Sequence, residues 1–469
     1  MDRREAEALY DQGKEPTVVK LLEFDEENQK LKEKIASSNL DSTNSSKPPS
    51  SDRPGIKRYE KNTEQKGERN PGGQPGHKGS HRELIPTEKV NKVVPVLPKT
   101  CGRCKRPLPQ DIEKVKIVGE PFRYQTTEIP PISPIITEYQ CHKTQCDCGC
   151  LNRAELPEEV RASQFEPRLT GLIAYMTGVH RIPRRGIEVL LETLLNTPIS
   201  LGSVQNLLEE TSSALKPIDQ KLKEALDREP VLNIDETGWK HKDWLWIFVA
   251  QTFVYFQIAA SRSSDVLKSV LGEFYDGIIC ADRFGAYTKY HKGLMQICWA
   301  HLKRDILGIT EISQSPCAIA FTNYLLEVKK ELFHRWYAFR GGGMTRSRLI
   351  EETLPVRQKI RQCLEEHQDV RDRSVRKLAR NLLKRYDHLF TFIFKEGVSP
   401  TNNIAERGIR PAVQWRKICF GNRSDNGRLL TARLLTVTRT CLLQGRNPFE
   451  FLVEAISSYR CGNPAPSLI

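Results

Sequence analysis

Five short apolar runs between residues 231 and 299 constrain the fold more than any other part of the chain. The first covers residues 231–235, and two more follow at 244–250 and 253–259, which predicts a meander of three antiparallel strands. A helix-like stretch at 264–274 leads to two further runs, at 277–281 and 294–299. We therefore expect a sheet of five short strands, interrupted by one helix, in the middle of the chain.

Aspartates close two of these runs. Asp235 ends the first run and Asp282 follows the fourth. Three antiparallel strands, a helix and two more strands, with acids at the ends of the first and fourth strands, describe the ribonuclease H-like fold. Those strands are neighbours in that fold, so both aspartates are predicted to point into one site.

A third acid is expected from a later helix. The best candidate is Glu406 in the segment TNNIAERGIRP, residues 401–411, where Arg410 lies one turn further along the same helical face. Arg410 is therefore a candidate phosphate contact. The long interval between Asp282 and Glu406 is rich in Leu, Lys, Arg and Glu, and it predicts a helical insertion at about residues 310–395.

Neighbouring carboxylates repel each other at neutral pH unless a cation neutralises them. Mg²⁺ suits such a site because it prefers hard oxygen ligands and keeps several waters for exchange with phosphate oxygens. We predict that Asp235, Asp282 and Glu406 are catalytic and hold two Mg²⁺ ions about 4 Å apart, a spacing suited to in-line displacement at phosphorus.

The segment CWAH, residues 298–301, follows the fifth run. As a zinc half-site it lacks an obvious second pair nearby, which favours a buried cysteine and a positioned histidine. His301 is a candidate contact to the scissile phosphate.

Six of the 13 cysteines lie between residues 101 and 150. Cys101 and Cys104 form a CxxC knuckle, whose two thiolates can converge on one tetrahedral Zn²⁺. We predict one structural Zn²⁺ bound by Cys101, Cys104, Cys146 and Cys148, with Cys141 or Cys150 as alternatives within the second half. Four thiolates would leave no open position for a water, and ordinary reduced cysteines remain the alternative.

The N-terminal part divides into a helix and a polar segment. Leu21, Phe24, Asn28, Leu31 and Ile35 share one helical seam, which indicates either a short dimeric coiled coil or one amphipathic helix packed on its own protein. The following segment is rich in Ser, Asn, Pro, Gly and Lys, and is predicted to be a flexible basic linker. It is either a plain tether or an arm that tracks DNA through basic residues, namely Lys47, Arg53, Lys57, Arg58, Lys66 and Lys78.

Apolar residues recur at helical spacing between residues 165 and 214. The breaker TPIS, residues 197–200, ends in a good helix N-cap and precedes a helix at about 202–214. The pattern is typical either of a helix-turn-helix DNA-binding unit or of a plain helical packing unit. Arg184 and Arg185 at its front are candidate DNA contacts.

The chain carries 72 Lys plus Arg against 58 Asp plus Glu, a net charge of +14, which favours a polyanionic partner such as DNA. The N-terminus lacks the apolar core of an export signal, and no run reaches the roughly 20 apolar residues of a membrane span. We therefore expect a cytoplasmic, nucleoid-associated protein without a membrane partner.

The motifs together resemble the transposases of the insertion-sequence sixty-six family. The resemblance covers most of the chain and includes NSSKPPSSD at 44–52, GGQPGHKG at 72–79, IDETGW at 234–239, ADRFGAY at 281–287, CWAHLKRD at 298–305 and TNNIAERGIRP at 401–411. The resemblance implies that Asp235, Asp282 and Glu406 are an Asp-Asp-Glu catalytic triad and that the cysteine cluster is a zinc-finger DNA-binding module. The chain departs from the family at residues 141–150, where four cysteines stand in place of one pair.

The activity implied by the resemblance is DNA transposition. Water would cleave the phosphodiester at the end of the element, and the freed 3′-hydroxyl would then attack target DNA. Implied partners are double-stranded DNA, a second copy in a dimer or larger synaptic assembly, and accessory proteins encoded by the same element. Two alternatives are a catalytically silent DNA-binding repressor derived from a transposase, and a structure-specific nuclease without terminal sequence preference.

The expected fold class is multidomain α+β. We predict a coiled-coil helix at 1–40, the basic linker at 41–94, a zinc-binding module at 95–158 and a helical DNA-binding domain at 159–228. A ribonuclease H-like catalytic domain with its helical insertion would follow at 229–425, and a C-terminal helical tail at 426–469.

Overall fold

A computed structural model describes residues 3–38, 40, 45, 79, 83–161, 163–240 and 242–469. The chain divides into two compact units, one made of residues 1–59 with 134–469 and the other of residues 60–133. The six basic residues of the predicted linker arm lie outside the described residues. The elements of the larger unit are mixed α and β, with helices predominating.

The helices before the sheet are α1 Arg3–Asp11, α2 Lys14–Ser38, α3 Glu158–Arg161, α4 Pro167–Gly178, α5 Arg184–Leu195 and α6 Leu201–Ala225. A small hairpin, β1 Lys143–Gln145 with β2 Leu151–Arg153, precedes α3. The side chain of Ser200 caps α6 by accepting from the N–H of Ser203, as the breaker and N-cap at 197–200 predicted. The helix continues well beyond the predicted end at 214 because Leu215, Ile218 and Leu222 extend its buried face.

The central sheet contains β3 Val231–Gly238, β4 Trp244–Val249, β5 Val254–Ala259, β6 Ile278–Ala281 and β7 Met295–Ile297, with α7 Ser264–Leu271 and α8 Gly285–Tyr290 between them. The spatial order is β5-β4-β3-β6-β7. β3, β4 and β5 are antiparallel neighbours, whereas β6 runs parallel to β3 and β7 parallel to β6. The predicted meander, helix and two further strands are all present.

The first strand extends further than the sequence indicated. Asp235 lies inside β3, opposite Ile247, and the pairing with β4 continues to Gly238 opposite Trp244. The expectation that Asp235 ends the strand is wrong. Beyond Asp235, polar side chains continue to alternate between the two faces of the sheet, and both faces of this strand are covered.

The helices after the sheet are α9 Trp299–Ile312, α10 Pro316–Arg340, α11 Arg346–Glu366, α12 Arg373–Leu383, α13 Thr391–Phe394, α14 Asn403–Cys419, α15 Asp425–Leu443 and α16 Pro448–Arg460. The interval predicted to be a helical insertion is thus helical. Its helices share a hydrophobic core of their own, which reaches the sheet through Cys280 of β6 and Ile297 of β7.

The C-terminal helices belong to the main hydrophobic core. Residues of α4 to α6, the sheet, α15 and α16 form one buried cluster. Arg460 of α16 reinforces this packing, because its nearly buried guanidinium donates to both carboxylate oxygens of Glu210 in α6, at 2.8 and 2.9 Å. Residues 426–469 are therefore an integral layer of the fold, although the sequence suggested a tail.

Helix α15 closes the free edge of the sheet. The hydroxyl of Thr440 accepts from the N–H of Val254 and donates to its carbonyl oxygen, both at 3.1 Å. One turn earlier, the hydroxyl of Thr436 accepts from the N–H of Phe256 at 2.9 Å. Since the N–H and C=O groups of an edge strand otherwise lack partners, these threonines take the place of a sixth strand.

Helix α2 packs on the helical insertion through polar contacts. Glu33 accepts from Arg373 and from Ser374, the latter at 2.9 Å, and Asp25 pairs with Arg371 at 3.3 Å. Four residues of the predicted seam, Leu21, Asn28, Leu31 and Ile35, are exposed, whereas Phe24 is half-buried. The coiled-coil dimer therefore stays a prediction, with an exposed face available for it.

The smaller unit contains little regular structure among its described residues. It has two short 3₁₀ turns, Thr87–Lys89 and Ile112–Lys114, and an isolated bridge between Thr100 and Pro107. Throughout the described ranges of the chain, no helix is both long and apolar enough to cross a membrane.

Candidate functional site

The face of the sheet that carries Asp235 is covered by helix α14. Asp235 lies opposite Ile247 in the register of β3 and β4, and Gly408 of α14 lies directly above Ile247. A Cβ atom at residue 408 would come within 2.6 Å of Ile247 Cδ1, so a larger residue there would force the Ile247 side chain to shift. Through this close approach, α14 packs on the same face of the sheet as Asp235.

Glu406 lies in the first turn of α14, half-buried. Asn402, just before the helix, fixes this turn: its side-chain amide donates to the carbonyl oxygen of Ile234 at 2.7 Å, and its backbone N–H donates to Cys298 Sγ at 3.1 Å. The residue before Asp235 and the start of α9 are thus tied to the same asparagine. Sequence reasoning did not single out Asn402, although its place in the TNN segment next to Glu406 was a signal.

Asp282 lies in the turn after β6, where Oδ1 accepts from the N–H of Phe284 at 2.8 Å. The next residue, Arg283, anchors the turn to the helical insertion by donating to Asp305 of α9 at 2.6 Å and to Asn381 of α12 at 3.0 Å. The turn is therefore held from two helices.

The carboxylates act on one another electrostatically. Burial, followed by the negative charges of Glu236 and Asp282, raises the pKa of Asp235 well above its usual range, and Glu406 adds to this effect. The structure thus brings the three sequence-predicted acids into one electrostatic neighbourhood. Such a half-buried set of hard oxygen donors fits divalent cations, which would relieve the repulsion.

A fourth acid, Glu236, lies on the opposite face of β3. Its side chain is 1% exposed and accepts from Arg262, at 2.5 and 2.8 Å, and from the hydroxyl of Tyr287. Arg262 also stacks over the ring of Phe284, 3.9 Å from its centroid, in the turn that carries Asp282. Glu236 therefore links the strand of Asp235 to the turn of Asp282 from behind.

Sequence reasoning missed Glu236. The available signal was an acid at an inward position of a strand, two residues after Ile234 and four after Leu232, both fully buried. Burial, followed by the charge of Asp282, raises the pKa of Glu236, despite its contacts with Tyr287 and Arg262.

His301 lies beside Glu406, with 3.3 Å between Nδ1 and Glu406 Oε1, and Arg304 approaches the same oxygen at 3.4 Å. Burial and the charge of Arg304 lower the pKa of His301, which favours the neutral imidazole. Cys298, whose pKa burial raises, lies close to both His301 and Glu406. The histidine predicted to lie near the carboxylate cluster is thus located there.

The candidate DNA contacts are exposed. Arg410 lies on the outer side of α14. Arg407, Gln414 and Lys417 are also exposed and follow the spacing of the same helical face. We call these four residues the α14 stripe. Arg184 and Arg185 are exposed at the first turn of α5.

Two pairs of cysteines interact within short turns. In the smaller unit, the backbone N–H groups of Cys104 and Arg103, with the Cys104 thiol, lower the pKa of Cys101. In the larger unit, Cys148 lowers the pKa of Cys146 in the same way, within the turn between β1 and β2. The two cysteine pairs belong to different compact units, so their union in one Zn²⁺ site stays a prediction.

The five-stranded mixed sheet with its surrounding helices, in a strongly basic chain, defines a protein of the mixed α+β class. Comparison identifies the family within this class. The model of the family described as Transposase IS66 family matches residues 162–428, more than half of the chain, and the chain belongs to this family. A family of unknown function, DUF6444, matches residues 2–83.

Two relatives come from Sinorhizobium fredii (strain NBRC 101917 / NGR234). The uncharacterized protein y4qI is 26% identical over 257 residues, which cover 50% of this chain and 46% of that protein. The uncharacterized protein y4hP is 21% identical over 423 residues, 75% of this chain and 73% of that protein. The chain thus matches about half the length of y4qI.

Proposed function

We propose that the protein is a DNA transposase that binds the ends of its insertion sequence and catalyses metal-dependent strand cleavage and strand transfer. The observation that supports the proposal is that the charges of Asp282 and Glu406 both act on Asp235 and raise its pKa, in a chain of the IS66 transposase family. The strand order supports a ribonuclease H-like catalytic domain, in which acids occupy this part of the sheet.

Asp235, Asp282 and Glu406 would hold two Mg²⁺ ions. When bound, these ions supply activation of the attacking oxygen and charge stabilisation of the leaving oxygen. The chain itself contributes the orientation of the three acids, through Asn402 on one side of the sheet and Glu236 on the other.

The reaction consists of two in-line displacements. In the first, water attacks the phosphodiester at the end of the element, the bond from phosphorus to the 3′-oxygen breaks, and a 3′-hydroxyl is released. In the second, that hydroxyl attacks a phosphodiester of target DNA and displaces its 3′-oxygen. His301 and Arg304, both beside Glu406, would contact the scissile phosphate.

DNA is proposed to follow the α14 stripe. Arg407, Arg410 and Lys417 put three cations on the exposed side of the helix that carries Glu406, and Arg184 and Arg185 add two on α5. Removing a phosphate contact should weaken binding and reduce its salt dependence by about one ion per contact. Arg410→Ala is therefore expected to lower the salt slope, whereas Lys330→Ala, an exposed cation on α10 paired with Glu327, is not.

The remaining parts are proposed to assemble the complex. Cys101, Cys104, Cys146 and Cys148 would bind one structural Zn²⁺ in a DNA-binding module. The exposed seam of α2 would pair with a second copy in a dimer or larger synaptic assembly at the nucleoid. Accessory proteins of the same element are further proposed partners.

Cleavage of a labelled duplex tests the activity. Purified protein is incubated with the end of its own element, in Mg²⁺ or in EDTA, alongside Asp282→Asn and the control Asp276→Asn, which changes an exposed acid. We expect nicking at the element boundary that requires Mg²⁺ and Asp282 but tolerates the control. Asp235→Asn and Glu406→Gln should also abolish cleavage and leave end binding nearly intact.

The same assay separates the alternatives. Retarded DNA without cleavage under any metal, with accessory proteins supplied, would support the binding-only repressor. Cleavage of any branched duplex without preference for the element's end and without strand transfer would support a nuclease.

A further inference from the structure

Among the described residues, one group of three metal-binding side chains has all its ligand atoms within 4.8 Å of one another: Cys298, His301 and Glu406. The group differs from the proposed Mg²⁺ site in its chemistry, since it combines a sulfur, a nitrogen and an oxygen donor. Only Glu406 belongs to both groups.

The start of α9 and the start of α14 hold these three donor residues in position. Cys298 is the N-cap residue of α9, and His301 follows in the first turn, so the two side chains project from the same helix end. Asn402 donates its N–H to Cys298 Sγ and leads directly into α14, which carries Glu406. The three donors therefore converge without any rearrangement of the main chain.

The protein leaves part of the hydrogen-bonding capacity of this group unused. Nδ1 of His301 is buried and makes no hydrogen bond, although a carboxylate oxygen lies 3.3 Å away. Cys298 is 1% exposed. A neutral imidazole nitrogen and a carboxylate oxygen at this distance repel each other through their lone pairs, unless a proton or a metal cation lies between them.

The donor set selects the type of cation. Thiolate and imidazole favour Zn²⁺ and similar borderline cations, whereas Mg²⁺ favours oxygen alone. Zn²⁺ accepts sulfur, nitrogen and carboxylate oxygen in tetrahedral geometry, and three protein ligands leave its fourth position open to a water. One of the three donor residues, His301, also lines a cavity of about 530 Å³, together with Arg304 and others.

We propose that Cys298, His301 and Glu406 bind a thiophilic divalent cation such as Zn²⁺, and that the bound cation withdraws Glu406 from the Mg²⁺ site. The first half stands on the geometry alone, and the second half rests on the proposed function. The cation replaces Arg304 as the partner of Glu406. Zn²⁺ thereby acts as an inhibitor of Mg²⁺-dependent cleavage.

Titration of metal-free full-length protein with Co²⁺ tests the site, because a Co²⁺–thiolate bond produces a charge-transfer absorption band. The wild type is compared with Cys298→Ala, His301→Ala and the control Cys441→Ala, which removes an equally buried thiol from α15. We expect Cys298→Ala and His301→Ala each to lose one equivalent of Co²⁺ relative to wild type, and Cys441→Ala to lose none. Any Co²⁺ bound by the cysteines at 101–150 is common to all four proteins.

Equal Co²⁺ binding by wild type, Cys298→Ala and His301→Ala would overturn the site. His301→Ala decides the matter if Cys298→Ala fails to fold, as judged by circular dichroism. Loss of a direct ligand should lower Zn²⁺ affinity by more than the roughly 10- to 100-fold that loss of an outer hydrogen-bond partner costs.

The inhibition is measured as the Zn²⁺ concentration that halves Mg²⁺-dependent cleavage. We expect this concentration to rise more than about 10-fold in Cys298→Ala and to stay unchanged in Cys441→Ala. Equal sensitivity in all variants would overturn the withdrawal of Glu406. If no variant cleaves DNA, the proposed function fails, whereas the Co²⁺ titration still decides whether the metal site exists.

Discussion

The threonines of α15 allow a sharp test of how the sheet edge is stabilised. Thr440→Val exchanges a hydroxyl for a methyl group of nearly the same shape, and leaves the N–H and C=O of Val254 without their partner. Leaving a buried polar group unsatisfied costs about 1–3 kcal/mol, so the two groups together should lower the free energy of unfolding by about 2–6 kcal/mol.

A matched control lies half a turn away on the same helix. Thr438 is as fully buried as Thr440, but its hydroxyl donates to Leu434 within α15. Thr438→Val should therefore cost under about 1 kcal/mol, because the Leu434 carbonyl keeps its helical hydrogen bond. The free energies are compared by urea unfolding of the full chain, with the slope against urea required to stay constant. Equal losses for the two variants would refute the view that Thr440 completes the edge of β5.

Three further perturbations address buried charge. Burial raises the pKa of Asp219 to about 6, against an ordinary 3.8, so the native state holds an extra proton between about pH 4 and 6 and its stability falls as pH rises through this window. Asp219→Asn should therefore raise the free energy of unfolding by up to about 3 kcal/mol at about pH 7.5 and by nearly nothing at about pH 4. Urea unfolding at both pH values measures the difference, and a larger gain at low pH would contradict the prediction. Because the pKa of Asp235 is raised, protons compete with Mg²⁺ for its carboxylate. The Mg²⁺ concentration that half-saturates cleavage should therefore rise as pH falls, by up to about tenfold per pH unit for one proton. If this concentration did not depend on pH, that result would count against Asp235 as a ligand. Glu236→Ala should lower the free energy of unfolding by at least about 1–3 kcal/mol, because the buried hydroxyl of Tyr287 loses its acceptor. Glu236→Gln should recover most of this loss, as measured by thermal unfolding. Equal melting temperatures of the two variants would argue against the hydrogen bond.

The sequence was sufficient to predict the strands because their apolar runs are short, separated by polar turns, and rich in aromatic and β-branched residues. The position of Asp282 after the fourth strand followed from the same local patterns, whereas the helical position of Glu406 followed from the segment at residues 401–411. The length of β3 did not, since Glu236 and Thr237 are polar and belong to the strand through their pairing with Trp246 and Leu245 of β4.

Other features depend on contacts between distant parts of the chain. No local pattern indicates that Thr436 and Thr440 face a strand about 180 residues earlier, because isolated threonines in a helix usually bond within it. The heptad spacing of α2 predicted the seam of the helix but not that Asp25 and Glu33, on another side, would contact the helical insertion. The role of Asn402 likewise arises only when β3, α9 and α14 meet.

The closure of β5 by α15 has a consequence for the order of events during synthesis. β5 ends at residue 259, and Thr440 leaves the ribosome about 180 residues later, a delay of about 10–40 s at bacterial rates of elongation. During that interval the nascent chain presents an unpaired strand edge to every other chain in the cell. Glu406 is synthesised in the same late stretch, so the chain acquires its third acid and the protection of its sheet edge almost together. Emergence of α15, rather than translation of the sheet, is then the point at which the edge of β5 is covered and all three acids are present.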